Sequence, residues 1–333
     1  MGISFFVRTT APTPSAQLLA AQEGTPYGTV FNRTDDSFSE AFNYSTIFNN
    51  DVYDMKYSHD DTYIAITSVI TPFLSIYKDP NFTSSPLSFT IPTSYCSRCS
   101  WSSDSIYLAV GLNADPRMLI YKRSGDTFTQ LATVPNATSW GQINDVAFDP
   151  TDTYLSVCGT SGGLKILKRS GDTFTNIANP YTGPYVTRST AWSPDSKYVA
   201  LGLPSLHDGI RVYKRTGDTF SSVTIDALVA NAWGYGVSFN PDGTLLAVAH
   251  SFSPFITLYS VDSDTDTFTK LSAPSDLPGQ NAYGCAFDKT GTYLAVIADG
   301  SSNSVVYSVD GTTLTKVADL ATNGSNNISW SNT

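Results

Sequence analysis

One phrase recurs along this chain. An aromatic residue closes a short strand, a turn of hydroxyl and acidic residues follows, and a second, apolar strand begins. The copies read KYSHDDTYIAI (Lys56–Ile66), SWSSDSIYLAV (Ser100–Val110), AFDPTDTYLSV (Ala147–Val157), AWSPDSKYVAL (Ala191–Leu201), SFNPDGTLLAV (Ser238–Val248) and AFDKTGTYLAV (Ala286–Val296). Their second-strand residues Tyr63, Tyr107, Tyr154, Tyr198, Leu245 and Tyr293 stand 44, 47, 44, 47 and 48 residues apart. Inside one period, Ser189–Trp192, Tyr198–Leu203 and Ile210–Lys214 alternate apolar and polar residues, and Phe220 starts a fourth run. Such alternation, bounded by Gly, Pro, Asp and Ser, marks antiparallel strands joined by tight turns. Four strands per period, with a period in the forties, predict the blades of a β-propeller.

Six copies are complete and a seventh is split across the ends. NISWSNT (Asn327–Thr333) reads as a first strand cut off at its turn, Gln17–Ala21 as a second strand and Tyr27–Arg33 as a third. The predicted fold is therefore all-β: a seven-bladed propeller of four-stranded antiparallel blades over residues 17–333. A blade shared between the two ends closes the ring, with the C-terminal strand innermost. Closure leaves no strand edge unpaired at the seam. A rival reading puts Ile3–Val7 in the innermost position and needs a longer turn than the other copies have. Residues 1–16, rich in Thr and Pro, lie outside the repeat and read as an N-terminal arm.

Three positional patterns follow. The aromatic of each first strand is Tyr57, Trp101, Phe148, Trp192, Phe239, Phe287 or Trp330. The residue before it is small in six copies (Ser100, Ala147, Ala191, Ser238, Ala286, Ser329), and Lys56 is the exception. The residues three before the aromatic are expected at the channel mouth: Asp54, Arg98, Asp145, Ser189, Gly236, Gly284 and Asn327. The turn between third and fourth strands reads KRSGDTF at Lys122 and Lys168 and KRTGDTF at Lys214. Gly-Asp suits a two-residue hairpin with Gly at positive φ, and the Lys-Arg pairs read as a solvated rim.

With 19 basic and 29 acidic residues, the net charge of −10 argues against nucleic acid, which needs a basic stripe. No apolar run reaches the length of a membrane-spanning helix, and the start lacks the charged region of a signal peptide. Charged residues are only 14% of the chain, so Ser, Thr and Asn dominate a surface that suits a secreted or particle-associated β protein. The Asn-x-Ser/Thr sites fit chance in so hydroxyl-rich a chain. Cys96 and Cys99 form a lone CxxC with no second pair. With Cys158 and Cys285 they read as core-filling, and neither metal nor cofactor is expected. His59, His207 and His250 fall in different blades without a ligand pattern. DSDTD (Asp262–Asp266) reads as a solvated acidic turn, lacking the glycine and glutamate of the helix-loop calcium motif.

The connections before the first strands are rich in aromatics: Tyr95, Trp140-Gly-Gln142, Tyr185, Trp233-Gly-Tyr235 and Asn281-Ala-Tyr283. All should open onto one face. Aromatics among Asn, Gln and Gly suit protein contacts or sugar stacking. Trp140, Trp233, Tyr235, Tyr283, Tyr95 and Asn281 are therefore candidate binding residues. The plainer alternative is that Trp140 and Trp233 cap the packing between blades.

The phrases AFDPTDTYLSV, SFNPDGTLLAVAHSFSPFITLYSV and IRVYKRTGDTF resemble WD40-like repeat proteins and, more distantly, YVTN-type bacterial propellers. SPFITLY followed by a KRSGDTFTKL-like hairpin is similar to repeats in proteins of tailed bacteriophages and some bacteria. The WD dipeptide and Gly-His of eukaryotic WD40 repeats are absent. The resemblance implies a non-enzymatic structural or attachment protein located on a virion. Its implied partners are other virion proteins, docked through residues 1–16. Host-glycan binding through the aromatics is an alternative. Another is a lactonase-like enzyme using Asp54, Asp145 and Arg98. The lactonase branch of seven-bladed propellers is similar in fold, but its catalytic residues find no matching positions here.

Overall fold

A computed structural model describes residues 16–25, 27–43, 51–78, 86–132, 137–161, 163–203, 209–300, 303–322 and 325–331. Its strands form seven separate antiparallel sheets arranged as the blades of a closed propeller. The first blade has the order Ser325–Trp330, Ala16–Gln22, Gly28–Thr34, Ser37–Asn43 from the axis outward. In the second, Val52–Tyr57, Ile64–Ser68 and Leu74–Tyr77 fall among the described residues. The other blades each have four strands, starting on the axis with Cys96–Trp101, Ile143–Phe148, Ser189–Trp192, Gly234–Phe239 and Ala282–Phe287.

The split blade closes the ring as expected. Leu18 pairs with Trp330 and Ala20 with Ile328. Beyond that register the Ser331 amide donates to the Gln17 carbonyl at 2.8 Å, and the Gln17 amide donates to the Ser331 hydroxyl at 2.8 Å. Ser325–Trp330 thus occupies the innermost position. Ile3–Val7 and the arm up to residue 15 lie outside the described residues, and Ala16 already belongs to a strand.

The core lies between blades. One cluster joins Tyr63, Leu74 and Ile76 of the second blade to Cys99, Trp101 and Leu108 of the third. A second strand is therefore covered on both faces. This is why Tyr107–Leu112, Tyr154–Gly159 and Leu245–His250 are buried at every position and read as nearly unbroken apolar runs. Tryptophans at the first-strand aromatic position also tie blades together. Trp101 donates its indole N–H to the Lys56 carbonyl at 3.2 Å, and Trp192 donates to that of Ala147 at 3.1 Å.

The Lys-Arg hairpins form a solvated rim, as expected, and carry a second role between blades. Gly125, Gly171 and Gly217 take φ of 58, 59 and 61°, as the two-residue turn requires. Each Gly then presents the following Asp to the preceding blade. Tyr107 donates its hydroxyl to Asp172 at 2.5 Å, Lys122 donates to the same carboxylate at 2.8 Å, and the Arg169 guanidinium covers the Tyr107 ring at 4.7 Å. Tyr154, Asp218, Lys168 and Arg215 repeat the clasp one blade on. In the DSDTD turn, Asp266 is the clasp acid. Lys214, Tyr198 and Lys197 hold its carboxyl well below the usual range, while Asp262 accepts from Asp264 and Thr265 within its own turn.

Candidate active site at the channel mouth

Each innermost strand starts on the face that also carries the second-to-third turns, here the upper face. Register shifts fall between Val52 and Asp54, Ile143 and Asp145, Gly234 and Gly236, and Ala282 and Gly284. The extra residue of such a bulge changes which side chain meets the axis. Tyr53, Asn144, Tyr235 and Tyr283, four before the aromatic, line the mouth together with Arg188 and Asn326.

This offset corrects the expected mouth residues. Asp54 is buried and stitches inner strands together: it accepts from the Cys99 amide at 3.0 Å, the Met55 amide at 3.0 Å and the Asn327 side chain at 2.6 Å. Asp145 likewise accepts from Val146 and Thr190, each at 2.9 Å. Burial pushes its carboxyl up to about 6 against the opposing pull of Arg98. Gly236 and Gly284 are not vacant wall. A Cβ on Gly236 would stand 2.8 Å from the Gly284 Cα, so the inner strands meet there backbone to backbone. Arg98 donates to the Tyr53 carbonyl and, at 2.5 Å, to that of Asn326. It borders the cavities on both sides and forms a floor between them.

Above this floor opens a funnel of about 410 Å³. One wall is aromatic. Tyr235 and Tyr283 have ring centroids 4.9 Å apart, with Trp233 6.3 Å from Tyr235. The Arg188 guanidinium lies 5.5 Å from the Trp233 ring and 5.8 Å from Tyr235. Among the described residues Arg188 makes no ion pair. Across the mouth, Tyr53 stacks on Tyr95 at 5.9 Å. Glu23 and Asp299 supply acid from two second-to-third turns, and the Gly24 amide donates to Asp51 at 3.0 Å to hold the first of these turns. Partial burial, then the nearby charges of Asp51 and Asp299, raise the Glu23 carboxyl above the usual range.

The six aromatic and amide candidates divide. Tyr235 and Tyr283 share one wall, Trp233 stands beside Tyr235 outside the lining, Tyr95 backs Tyr53, and Asn281 braces the rim by accepting from the Phe252 amide at 3.4 Å. Trp140 ends a short 3-10 turn, is buried, and packs between blades, as the plainer alternative held. The four cysteines are free and buried, and burial raises their thiols. Both His250 nitrogens are engaged, by the Ser251 carbonyl and the Thr257 hydroxyl, each at 2.9 Å. His59 borders the opposite end of the channel, and His207 lies outside the described residues. No group of three potential metal ligands occurs among the described residues, and no helix there is long and apolar enough to cross a membrane. Sequence reading passed over Glu23, Arg188 and Asp299. Glu23 carried one signal, being one of only two glutamates in the chain.

This architecture defines a class: the chain is a WD40-like seven-bladed β-propeller. The family model for the WD domain, G-beta repeat, matches residues 128–167. No curated protein matches the chain. Among solved structures, a protein from Lactobacillus plantarum is similar with a TM-score of 0.78 at 14% identity, covering 95% of this chain and 99% of that one. A putative 6-phosphogluconolactonase from Bacteroides uniformis (TM-score 0.72, 15% identity) and the periplasmic gluconolactonase of Pseudomonas aeruginosa (0.74, 14%) are similar over 95% of this chain and 99% of each. These findings overturn the expectation of a non-enzymatic virion module. Nothing among them points to a phage particle, and structures similar along the whole ring include proteins named as lactonases. Identity this low carries the fold and leaves the activity to be argued from the site.

Proposed function

We propose that the chain is a lactone-hydrolysing enzyme of the sugar-acid class, working in the upper funnel. The observation that carries this reading is one cavity of about 410 Å³ holding an aromatic wall, the arginines Arg188 and Arg98, and a carboxyl, Glu23, raised above its usual range. The volume suits a single sugar ring. Tyr235 and Tyr283 offer faces on which such a ring stacks, and Arg188 supplies donors for an anionic substituent. In hydrolysis Glu23 takes a proton from water, whose oxygen bonds to the lactone carbonyl carbon. Negative charge gathers on the carbonyl oxygen, toward the arginines. As the carbonyl re-forms, the ring C–O bond breaks and its oxygen takes back the proton held by Glu23, leaving as a hydroxyl. The names of the lactonases similar in fold agree with this chemistry. Asp54 and Asp145, committed to backbone amides, take no part in it.

The test is hydrolysis of glucono-1,5-lactone, with and without a 6-phosphate, followed by a pH indicator against the spontaneous rate. Glu23→Gln should lower kcat by about 10²-fold or more. Arg188→Ala should raise KM about tenfold or more, most for the phosphorylated ring. Because the Glu23 carboxyl is raised, the acidic limb of kcat/KM should lie above the range of an ordinary glutamate, about 4.3. Wild-type protein that never exceeds the spontaneous rate on either lactone would sink the proposal.

A further inference from the structure

Beneath the Arg98 floor the channel widens into a second chamber of about 450 Å³, open on the lower face. The first-strand aromatics Trp101, Trp192 and Trp330 and their phenylalanine and tyrosine counterparts border it as a collar, most of them packed between blades and showing only an edge to the chamber. One repeat position breaks the symmetry of its wall. Where six blades place Ser or Ala, the second blade places Lys56. Its side chain is 32% exposed, and its ammonium has one ionic neighbour, Asp54, at 4.0 Å. Asp54 is already taken by two backbone amides and the Asn327 side chain. Among the described residues the Lys56 ammonium donates no hydrogen bond. The other acids bordering the chamber are also engaged: Asp145 by the Val146 and Thr190 amides, and Asp288 by Arg33 and the Tyr293 amide. Lys289 stands at the opening with no ion pair among the described residues.

A lysine whose side chain is about two-thirds covered by the chamber wall loses part of its hydration, and that loss is offset only by a partner. The protein supplies none at hydrogen-bonding distance. A small carboxylate with an apolar body fits both features, its anionic end on Lys56 and its body against the aromatic collar. We infer that the lower chamber is a second binding site, for a small organic monocarboxylate anchored by Lys56. It opens on the face opposite the upper funnel, with which it shares Arg98, Tyr235 and Tyr283 as border residues, and its ligand is independent of the activity proposed there.

Three of the chain's five tryptophans edge this chamber, so their fluorescence reports its occupancy. The experiment titrates the full chain with benzoate, with benzyl alcohol as an uncharged counterpart and with inorganic phosphate as an anion lacking an apolar body. Benzoate should bind saturably, and the other two probes at least about tenfold more weakly. Lys56→Ser installs a residue that other blades carry at this position, and Lys56→Met keeps the stem while removing the charge. Both should weaken benzoate about tenfold or more, with thermal midpoints near wild type showing that the ring is intact. Arg188→Ala, in the other cavity, should leave benzoate binding unchanged. Benzoate binding that does not saturate, or that survives both Lys56 substitutions, would overturn the site. Equal binding of phosphate and benzoate would overturn the ligand class.

Discussion

Among the described residues one buried ion pair crosses the seam of the ring, and replacing Arg33 by Met isolates its contribution. Arg33 lies in the strand Gly28–Thr34 of the closing blade and reaches back to the last blade, where its Nη1 stands 3.4 Å from Asp288 Oδ2. The two side chains are 10% and 2% exposed. The guanidinium also covers the Tyr293 ring at 4.3 Å and lies 5.8 Å from Trp330. Met keeps the apolar stem and leaves Asp288 buried without its cation, a change that costs about 3–5 kcal/mol in general. Two features favour the lower end. The contact is long for a charged hydrogen bond, and Asp288 still accepts from the Tyr293 amide at 2.9 Å and the Thr290 hydroxyl at 2.6 Å. Loss of the cation–π contact adds about 1 kcal/mol. The expected sum of about 4 kcal/mol corresponds to a fall in thermal midpoint of about 6 °C for a chain of this size. The assay is the midpoint at fixed scan rate, with Arg215→Met as control. Arg215 covers Tyr154 at 4.9 Å and donates to the Ser196 carbonyl at 2.8 Å, with no buried carboxylate to orphan. Adding Asp288→Asn to Arg33→Met should restore most of the loss. Equal losses in Arg33→Met and Arg215→Met would refute the reasoning, because the seam would then be no more than another clasp.

Other predictions concern the channel and rim. Gly236→Ala would drive a methyl to 2.8 Å from the Gly284 Cα, so it should cost about 1–3 kcal/mol in chemical denaturation, whereas Gly171→Ala meets nothing within 4 Å and should lose only what its φ of 59° imposes. Because folding raises the Asp145 carboxyl to about 6, its protonated form favours the fold. That contribution is complete below the unfolded value near 4 and is lost as pH rises through about 6, at about 1.4 kcal/mol for each pH unit crossed in that window. The advantage of wild type over Asp145→Asn in thermal midpoint should therefore shrink between pH 4 and 7, and a constant difference would contradict the assignment. Trp140→Ala should cost about 3–5 kcal/mol as a core cavity, while Trp233→Ala, half-exposed beside Arg188, should spare stability and weaken lactone binding instead.

Much of the fold was legible because a propeller is a sum of near-identical local units. Tyr107, Tyr154 and Tyr198 each begin a buried second strand, and Tyr63 immediately precedes one. Gly125 and Gly171 sit at the positive φ that their hairpins demand, and Trp330 with Leu18 announced the shared blade. Strand alternation and turn chemistry are short-range properties, and repetition averages out their errors. The aromatic face was legible for the same reason, since Tyr95 and Trp233 precede first strands and Tyr235 and Tyr283 stand at their second positions, so that all emerge at one end.

What the sequence left open depends on contacts between blades. A bulge at Tyr53 or Asn144 leaves no signature in alternation, yet it moves the mouth by one residue and turns Asp54 and Asp145 from candidate acids into structural acceptors. The Lys-Arg-x-Gly-Asp hairpins looked like solvent-facing charge alone because their partners, such as Tyr107 for Asp172, lie on the preceding blade. Glu23 and Arg188 meet in one funnel only because the ring brings the first and fifth blades around a common axis. The sequence by itself determined the repeating unit and its number, through short-range pattern. The tertiary structure decided which side chains face the axis together, because ring closure and interblade register belong to no single repeat.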